Sequence, residues 1–236
     1  MKTMHRFALA AALLAPVISH ADFLTISLPG TPENGGWSGL NSTNYSATDG
    51  YTGNYGNPTV DWPTPLSAVT GSTSAVFDKV DGTSGYFGGS SVYTPSGTGS
   101  YTMSDSSPMA DLSTIVFQLD MDGSILSGPT LTYTYSGGSD TLSLSGSTTT
   151  TGNYGGFEGG STTIYVWQWD LSGIAETITG YSIDWTVDTH GALYAMKLDT
   201  SNAYANAVPE PSTYAALAGL GVLGFALLRR RKLSQK

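Results

Sequence analysis

A two-residue alternation of apolar and polar side chains is the feature that most restricts how this chain can fold. In residues 130–135, Leu131, Tyr133 and Tyr135 share one face and threonines occupy the other. Residues 142–145, 164–171, 181–188 and 192–199 alternate in the same way. Side chains of a strand point alternately to opposite faces, whereas a helix needs apolar spacings of three and four, which these runs lack. The alternation predicts antiparallel sheets with one buried and one wet face.

The run at residues 164–171 is apolar on one face, with Tyr165, Trp167 and Trp169, and half apolar on the other, with Ile164 and Val166. Shorter patterns predict earlier strands at residues 25–28, 75–80, 85–93 and 113–120, separated by Gly-containing turns. Eight to ten short strands around one core predict an all-β fold, an antiparallel β-sandwich of jelly-roll type over residues 22–207.

Residues 30–65 are rich in Gly, Asn, Thr and Tyr and poor in aliphatic side chains, which predicts long surface loops. Aromatic rings on such loops can stack on sugar rings, because one face of a sugar is apolar. We therefore expect glycan contact from aromatic residues of this segment, whereas the tryptophans of the later strands belong to the core. The candidates are Trp37, Trp62, Tyr51 and Tyr55.

Charge excludes one class of partner. Residues 22–207 contain Lys79 and Lys197 as their only cations against 17 of the 18 acidic residues, a formal charge of −15. Such a surface repels nucleic acid and anionic lipid. Cys is absent, so packing rather than disulfides must stabilise the domain.

Catalytic residues are scarce. Within residues 22–207 the only histidine is His190, which lies in a turn between two strands, and no Gly-x-Ser-x-Gly elbow accompanies it. A glycosidase needs two carboxylates across a sugar, and 17 acids provide such a pair by chance alone. We expect a protein that is not an enzyme, with a secreted glycan-active hydrolase as the alternative.

Two further sequence patterns keep a Ca²⁺-stabilised or ice-binding adhesive module as an alternative function. Asp120 and Asp122 stand two residues apart before Gly123, as in the first part of a calcium loop, but position twelve of such a loop would be Leu131 instead of an acid. No cofactor is expected, although Ca²⁺ could bind these two carboxylates. Threonines at residues 130–134 and 148–151 resemble flat arrays that bind ice, although strands favour threonine in any case.

Both ends of the chain read as export signals. Residues 1–21 combine Lys2 and Arg6 with an apolar run and small residues at the −3 and −1 positions, which predicts a secretory signal helix cleaved by signal peptidase between Ala21 and Asp22. At the other end, residues 208–236, a four-residue box precedes an apolar span at residues 214–228 and a basic tip at residues 229–236. The box is Val208, Pro209, Glu210 and Pro211, and the tip begins with Arg229, Arg230, Arg231 and Lys232.

The apolar span is a marginal membrane anchor. As a transmembrane helix it would cover about 22 Å of a hydrocarbon core of about 30 Å. The basic tip would stay on the cytoplasmic side of the inner membrane. Pro209 and Pro211 predict extended backbone just above the bilayer, which is the form of substrate that a protease or transpeptidase needs.

The box, the Gly-rich span and the basic cluster, in this order, resemble the PEP-CTERM sorting signal, a segment also described as the C-terminal domain of ice-binding proteins. The resemblance implies an exosortase-like transpeptidase as partner, loss of the span after transient anchoring in the inner membrane, and delivery to the cell surface or extracellular matrix of a Gram-negative bacterium that makes exopolysaccharide. Together with the site-poor domain, it predicts a non-enzymatic exported protein that associates with exopolysaccharide; a Ca²⁺-stabilised or ice-binding adhesive module is a further alternative.

Overall fold

A computed structural model of the chain describes residues 23–45, 58–155 and 161–208. These residues form fourteen strands and one four-residue helix. The elements are β1 (Pro32–Trp37), α1 (Ser42–Tyr45), β2 (Leu66–Ser67), β3 (Thr70–Gly71), β4 (Val76–Lys79), β5 (Tyr86–Phe87), β6 (Val92–Tyr93), β7 (Gly99–Asp105), β8 (Thr114–Asp122), β9 (Ile125–Tyr135), β10 (Gly138–Leu142), β11 (Gly146–Gly155), β12 (Ser161–Asp170), β13 (Ile178–Val187) and β14 (Ala192–Ser201).

The strands form two antiparallel sheets. The eight-stranded sheet runs in the order β11-β12-β8-β14-β1-β3, with the hairpin of β5 and β6 attached to β14. The six-stranded sheet runs in the order β10-β9-β13-β7-β4-β2. The predicted alternating runs coincide with β9 and β13 of this sheet and with β12 and β14 of the eight-stranded sheet, whereas β7 was not predicted. The all-β prediction is confirmed; a jelly-roll connection of the strands stays a prediction.

The core lies between the two sheets. Trp185 of the six-stranded sheet packs on Phe117 of the eight-stranded sheet, with ring centroids 5.1 Å apart, and stacks on Phe77 at 5.9 Å. Both Trp185 and Trp169 are buried, as the sequence predicted for the later tryptophans. A shared core between two facing sheets makes the domain a sandwich.

Residues 30–65 are only partly loop, and this corrects the sequence prediction. β1 lies inside the eight-stranded sheet, paired with β14 on one side and β3 on the other. The adjacent glycines Gly35 and Gly36 suggested a loop, but they allow close approach: a Cβ on Gly35 would collide with the Thr73 methyl group. A pair of glycines therefore marks a crowded strand here.

Residues 25–28 were also predicted wrongly, because they form no strand. They cross the outer face of the eight-stranded sheet instead, where Ile26 and Leu28 pack against it. The signal helix, with its cleavage site between Ala21 and Asp22, and the transmembrane helix at residues 214–228 both lie outside the described residues. Within the described ranges, no helix combines the length and apolar content that crossing a membrane requires.

Candidate functional site

The outer face of the eight-stranded sheet carries a small apolar cluster of its own. Strands β8 and β12 are neighbours, and β12 turns its second apolar face outward. The buried members of the cluster are Val116, Ile164, Val166 and Val208, and the side chains packed against them are Phe23, Leu24, Ile26 and Leu28. Because these residues come from the sheet and from both ends of the described chain, the two ends lie together on this face.

Gln118 of β8 holds the N-terminal segment. The Leu24 N–H donates to Gln118 Oε1 at 2.9 Å, and Gln118 Nε2 donates to the Leu24 carbonyl at 3.0 Å. The side-chain amide thus pairs with both backbone groups of one residue, as a neighbouring strand would. Gln118 is fully buried, so its side-chain amide makes hydrogen bonds to Leu24 in place of the hydrogen bonds that it would make to water.

Gln168 of β12 holds the C-terminal segment in a similar way. Its Nε2 donates to the Ala205 carbonyl at 2.5 Å, and its Oε1 accepts from the Ala207 and Val208 N–H groups at 3.0 and 2.9 Å. Both lone pairs of the amide oxygen are therefore used. The Val208 side chain is 1% exposed. The strap defined by residues 203–208 is thus fastened to the sheet up to Val208.

Val208 is also the first residue of the predicted sorting box, and it is the only member of that box that the structure describes. Pro209, Glu210 and Pro211 lie outside the described residues, as do Arg229, Arg230, Arg231 and Lys232 of the basic tip. The sequence marked Val208 only as part of a processing signal. The sequence did not predict that Val208 is buried or that Gln118 and Gln168 hold the two terminal segments. One signal was available: on the outward face of its strand, each glutamine directly follows an apolar side chain.

The outer face of the six-stranded sheet is different, because hydroxyl groups cover it. In the register of the sheet, Thr132 lies opposite Ser182, which lies opposite Ser104, and Thr130, Asp184 and Thr102 form the next row. We call this surface the Ser/Thr face; it consists of Ser100, Thr102, Ser104, Thr130, Thr132, Thr134, Thr141, Ser182, Asp184 and Thr186. Thr130 and Asp184 are exposed, and several others are half-buried. An array of hydroxyl donors and acceptors results.

The Ser/Thr face also contains a depression. A cavity of about 340 Å³ opens on it and is lined by Ser104, Thr132 and Ser182. Asp105 borders the cavity, where its carboxylate accepts from the Ser74 hydroxyl at 2.7 Å and from the Ser107 N–H at 2.9 Å. Val76 and Tyr181 also line the cavity, so it offers apolar contact as well as hydrogen bonds.

The aromatic residues proposed for glycan contact are not available as predicted. Trp37 is fully buried and donates from Nε1 to the Leu66 carbonyl at 3.0 Å. Trp62 is 6% exposed and stacks on Phe87 with ring centroids 4.7 Å apart. Neither ring can present a face to a ligand, so that prediction is wrong for both tryptophans. Tyr51 and Tyr55 lie outside the described residues.

Asp120 and Asp122 stand at the end of β8, and they have different surroundings. Asp120 is fully buried and neither carboxylate oxygen has a hydrogen-bond partner among the described residues. Burial raises the pKa of Asp120 to about 6, and the nearby Thr162 hydroxyl offsets part of the shift. Asp122 accepts from the Gly123 N–H at 2.9 Å. Across the described residues, no three His, Cys, Asp or Glu side chains come together as a set that could hold a metal ion.

The histidine considered for catalysis is placed at the surface. His190 is exposed in its turn, and its Nδ1 lies 2.7 Å from the Tyr93 hydroxyl. Asp111 and Glu176 line a cavity of about 190 Å³, and both are exposed. These two carboxyls therefore lie in solvent rather than in the apolar niche that the acid of a glycosidase occupies.

Comparison with known proteins identifies the C-terminal segment. The family model of the PEP-CTERM protein-sorting motif matches residues 207–232. No curated protein and no solved structure matches the chain. The match begins at Ala207, one of the two residues whose N–H groups bind Gln168. This motif is a substrate signal for exosortase and implies export with transient sorting at a membrane. The chain therefore carries a PEP-CTERM sorting signal, and the first two residues of the match, Ala207 and Val208, are bound to the sandwich.

Proposed function

We propose that the chain is a non-enzymatic protein that an exosortase-like transpeptidase processes, and that it acts at the cell surface or in the extracellular matrix by associating with exopolysaccharide. The observation that carries the proposal is the placement of its two outer faces. The sorting signal leaves from the outer face of the eight-stranded sheet, and the Ser/Thr face lies on the opposite side of the sandwich. Attachment at one face therefore leaves the other free to contact the matrix.

Neutral polysaccharide fits the Ser/Thr face better than a charged polymer does. Sugar hydroxyls both donate and accept hydrogen bonds, as serine and threonine hydroxyls do. Asp184 on the face, together with the net charge of −15 over residues 22–207, repels an anionic chain. Each hydroxyl contact is weak in water, so retention must come from many contacts along a long polymer.

Intact mass spectrometry of the protein isolated from its own host tests the sorting part. The expected product lacks residues 1–21 and the apolar span, and it is found in the surface or matrix fraction. A mass that still includes residues 229–236, in protein that stays in the inner membrane, would overturn the proposal. Signal-peptidase processing would be read from the same spectrum.

Sedimentation with purified host exopolysaccharide tests the association. The triple variant Thr102→Val, Thr130→Val and Thr132→Val replaces three hydroxyls of the face by methyl groups of the same size. We expect the fraction that sediments with the polymer to fall about tenfold. A control with three exposed loop changes, Ser90→Ala, Ser96→Ala and Thr98→Val, should bind like the unmodified protein. Equal binding by both triple variants would contradict the assignment.

A calcium-stabilised adhesive module is the second candidate, and the unpaired carboxylate of Asp120 favours it. Ca²⁺ takes six to eight oxygen ligands, of which Asp120 and Thr162 could supply part. If this candidate is right, adding a chelator lowers the melting temperature, and Asp120→Asn removes that dependence. An unchanged melting temperature in chelator would reject it.

A further inference from the structure

The strap at residues 203–208 has its backbone groups occupied, and this bears on where the sorting enzyme can cut. Proteases and transpeptidases hold their substrate as an extended strand through its free N–H and C=O groups. In the strap, the Ala203 carbonyl accepts from the Thr114 hydroxyl at 3.0 Å, and the Ala203 N–H donates to Ser201 Oγ at 3.2 Å. The Ala205 carbonyl and the Ala207 and Val208 N–H groups all bind Gln168. An enzyme cannot use these groups until the strap leaves the sheet.

We propose that Gln168 is a positioning residue for the sorting reaction: it withholds the peptide bonds of residues 203–208 from the sorting enzyme, so that the bond that is cut lies C-terminal to Val208. The inference rests on the proposed exosortase-like processing and specifies its site. Gln168 acts only through the strap, because its amide contacts backbone groups of residues 205–208 and takes no part in the bond cleavage.

The Val208 side chain gives the strap a second attachment. Its side chain fills the cluster with Val116, Ile164 and Val166. Its carbonyl lies above Gly146 of β11, where a Cβ would approach the oxygen to 2.7 Å. A cut upstream of Val208 would remove this side chain and uncover the cluster, whereas a cut after Val208 leaves the outer face of the sheet closed. A processed chain that ends after Val208 therefore keeps the apolar cluster covered.

Local opening of the strap is the quantity that Gln168 controls. Each of the three hydrogen bonds contributes a factor of roughly five to the closed state, so their loss should raise the opened fraction on the order of 100-fold. Gln168→Met keeps the length of the side chain and removes all three bonds. Gln118→Met makes the same change at the N-terminal segment, so it is the matched control for a general loss of stability.

Intact mass spectrometry of the host-processed protein gives the first readout. For the unmodified chain and for Gln118→Met, we expect one C-terminus, at or beyond Val208. For Gln168→Met, we expect additional ends within residues 203–207. A purely structural role of Gln168 would lower the yield without moving the ends. Identical ends for Gln168→Met and the unmodified chain, or an unmodified end upstream of Val208, would overturn the inference.

Gly146→Ala keeps the test decisive if Gln168→Met folds poorly. The added methyl group pushes on the Val208 carbonyl and leaves every hydrogen-bonding side chain in place. Gly146 has no positive φ that would strain an alanine. We expect the same upstream ends as for Gln168→Met in protein that keeps its β-sheet circular dichroism. Ends that do not move in this variant count against the inference.

Hydrogen exchange of the purified full-length chain in detergent gives a readout that needs no sorting enzyme. The Ala207 and Val208 amides should exchange about 100-fold faster in Gln168→Met than in Gln118→Met. Unchanged exchange would refute the role of Gln168, whatever the host masses are. If these amides exchange faster in Gln168→Met but every variant keeps its full-length mass in the host, the proposed processing itself is refuted. The two failures are therefore distinguishable.

Discussion

The two outer faces of the sandwich are built from similar antiparallel strands, yet one is covered and the other is bare. On the eight-stranded sheet, β8 and β12 point Val116, Ile164 and Val166 outward, and the two terminal segments cover them. On the six-stranded sheet, the corresponding positions carry mainly serine and threonine, together with Asp184, and the described residues form no second apolar cluster there. The comparison teaches that the second face of a strand decides where the ends of this chain attach. The outward face with apolar side chains is covered by the terminal segments, and the outward face with hydroxyl side chains stays exposed to solvent.

The largest difference between the two faces is expected when one residue of each is replaced by aspartate and the losses in the free energy of unfolding are compared. Ile164→Asp places a charge in the buried cluster, which costs about 4 kcal/mol of the free energy of unfolding. Thr132→Asp places the same charge on the Ser/Thr face, where the cost should be about 0.5 kcal/mol or less. Urea unfolding of the purified chains measures both. Similar losses for the two variants would mean that the straps do not seal the covered face.

Loss of the N-terminal attachment should have the next largest effect. Gln118→Met leaves the N–H and carbonyl of Leu24 without their partner and costs about 2 kcal/mol. Ser182→Ala on the Ser/Thr face removes one solvent-accessible hydroxyl and should cost less than about 0.5 kcal/mol. The melting temperatures of the two variants give the comparison. A Gln118 variant that melts with the unmodified chain would show that the covered face needs only its apolar contacts.

The general architecture followed from the sequence because alternation depends on local spacing. The alternating runs at residues 130–135, 164–171 and 181–188 coincide with strands to within one residue. The half-apolar second face of residues 164–171 was noted, but the sequence did not predict what covers it. Residues 25–28 have the apolar spacing of a strand. They lie across the outer face of the sheet instead of pairing with a strand, because the chain beside them binds the side chain of Gln118. The sequence could not supply that partner, because Gln118 is 94 residues from Leu24.

The candidate site divides in the same way. The sorting signal is a linear motif, so its residues could be recognised without a fold. The seat of Val208 depends on Gln168, Ile164 and Val116, which only strand pairing brings together. Trp37 was assigned to a loop surface because its segment is rich in Gly, Asn, Thr and Tyr, although the two glycines before it make room for neighbouring residues of the sheet. The loop prediction from composition was therefore wrong at Gly35 and Gly36, where glycine is needed for close packing rather than for flexibility.

Asp120 lets the covered sheet be tested by pH. Burial raises its pKa from 3.8 to about 6, so the folded state keeps a proton that the unfolded state has lost between these values. The free energy of unfolding should therefore fall as the pH rises from about 4 to about 6, and it should stay lower above that range. The full shift corresponds to about 3 kcal/mol, and screening by solvent at the end of the strand reduces it. Asp120→Asn should therefore stabilise the chain by about 1 to 2 kcal/mol at pH 7.5 and have little effect near pH 4.

Denaturant midpoints at the two pH values check this expectation in the presence of a chelator. Burial raises the pKa of Asp199 as well, so the variant should keep a weaker pH dependence of the same sign. A bound Ca²⁺ would reverse the result, since Asp120→Asn would then destabilise the chain at pH 7.5 when calcium is added. The same variant thus sharpens the comparison of faces and decides between the two proposed functions.

The smallest expected effect on stability belongs to the Ser/Thr face. Thr102→Val, Thr130→Val and Thr132→Val keep the β-branched shape that strands favour, and their hydroxyls point away from the core. The combined change in the free energy of unfolding should therefore be within about 0.5 kcal/mol, as measured by urea denaturation. A loss of several kcal/mol would mean that the hydroxyl array stabilises the sheet itself. Unchanged stability, together with lower retention by exopolysaccharide, would mean that the bare face is kept polar for contact with the matrix.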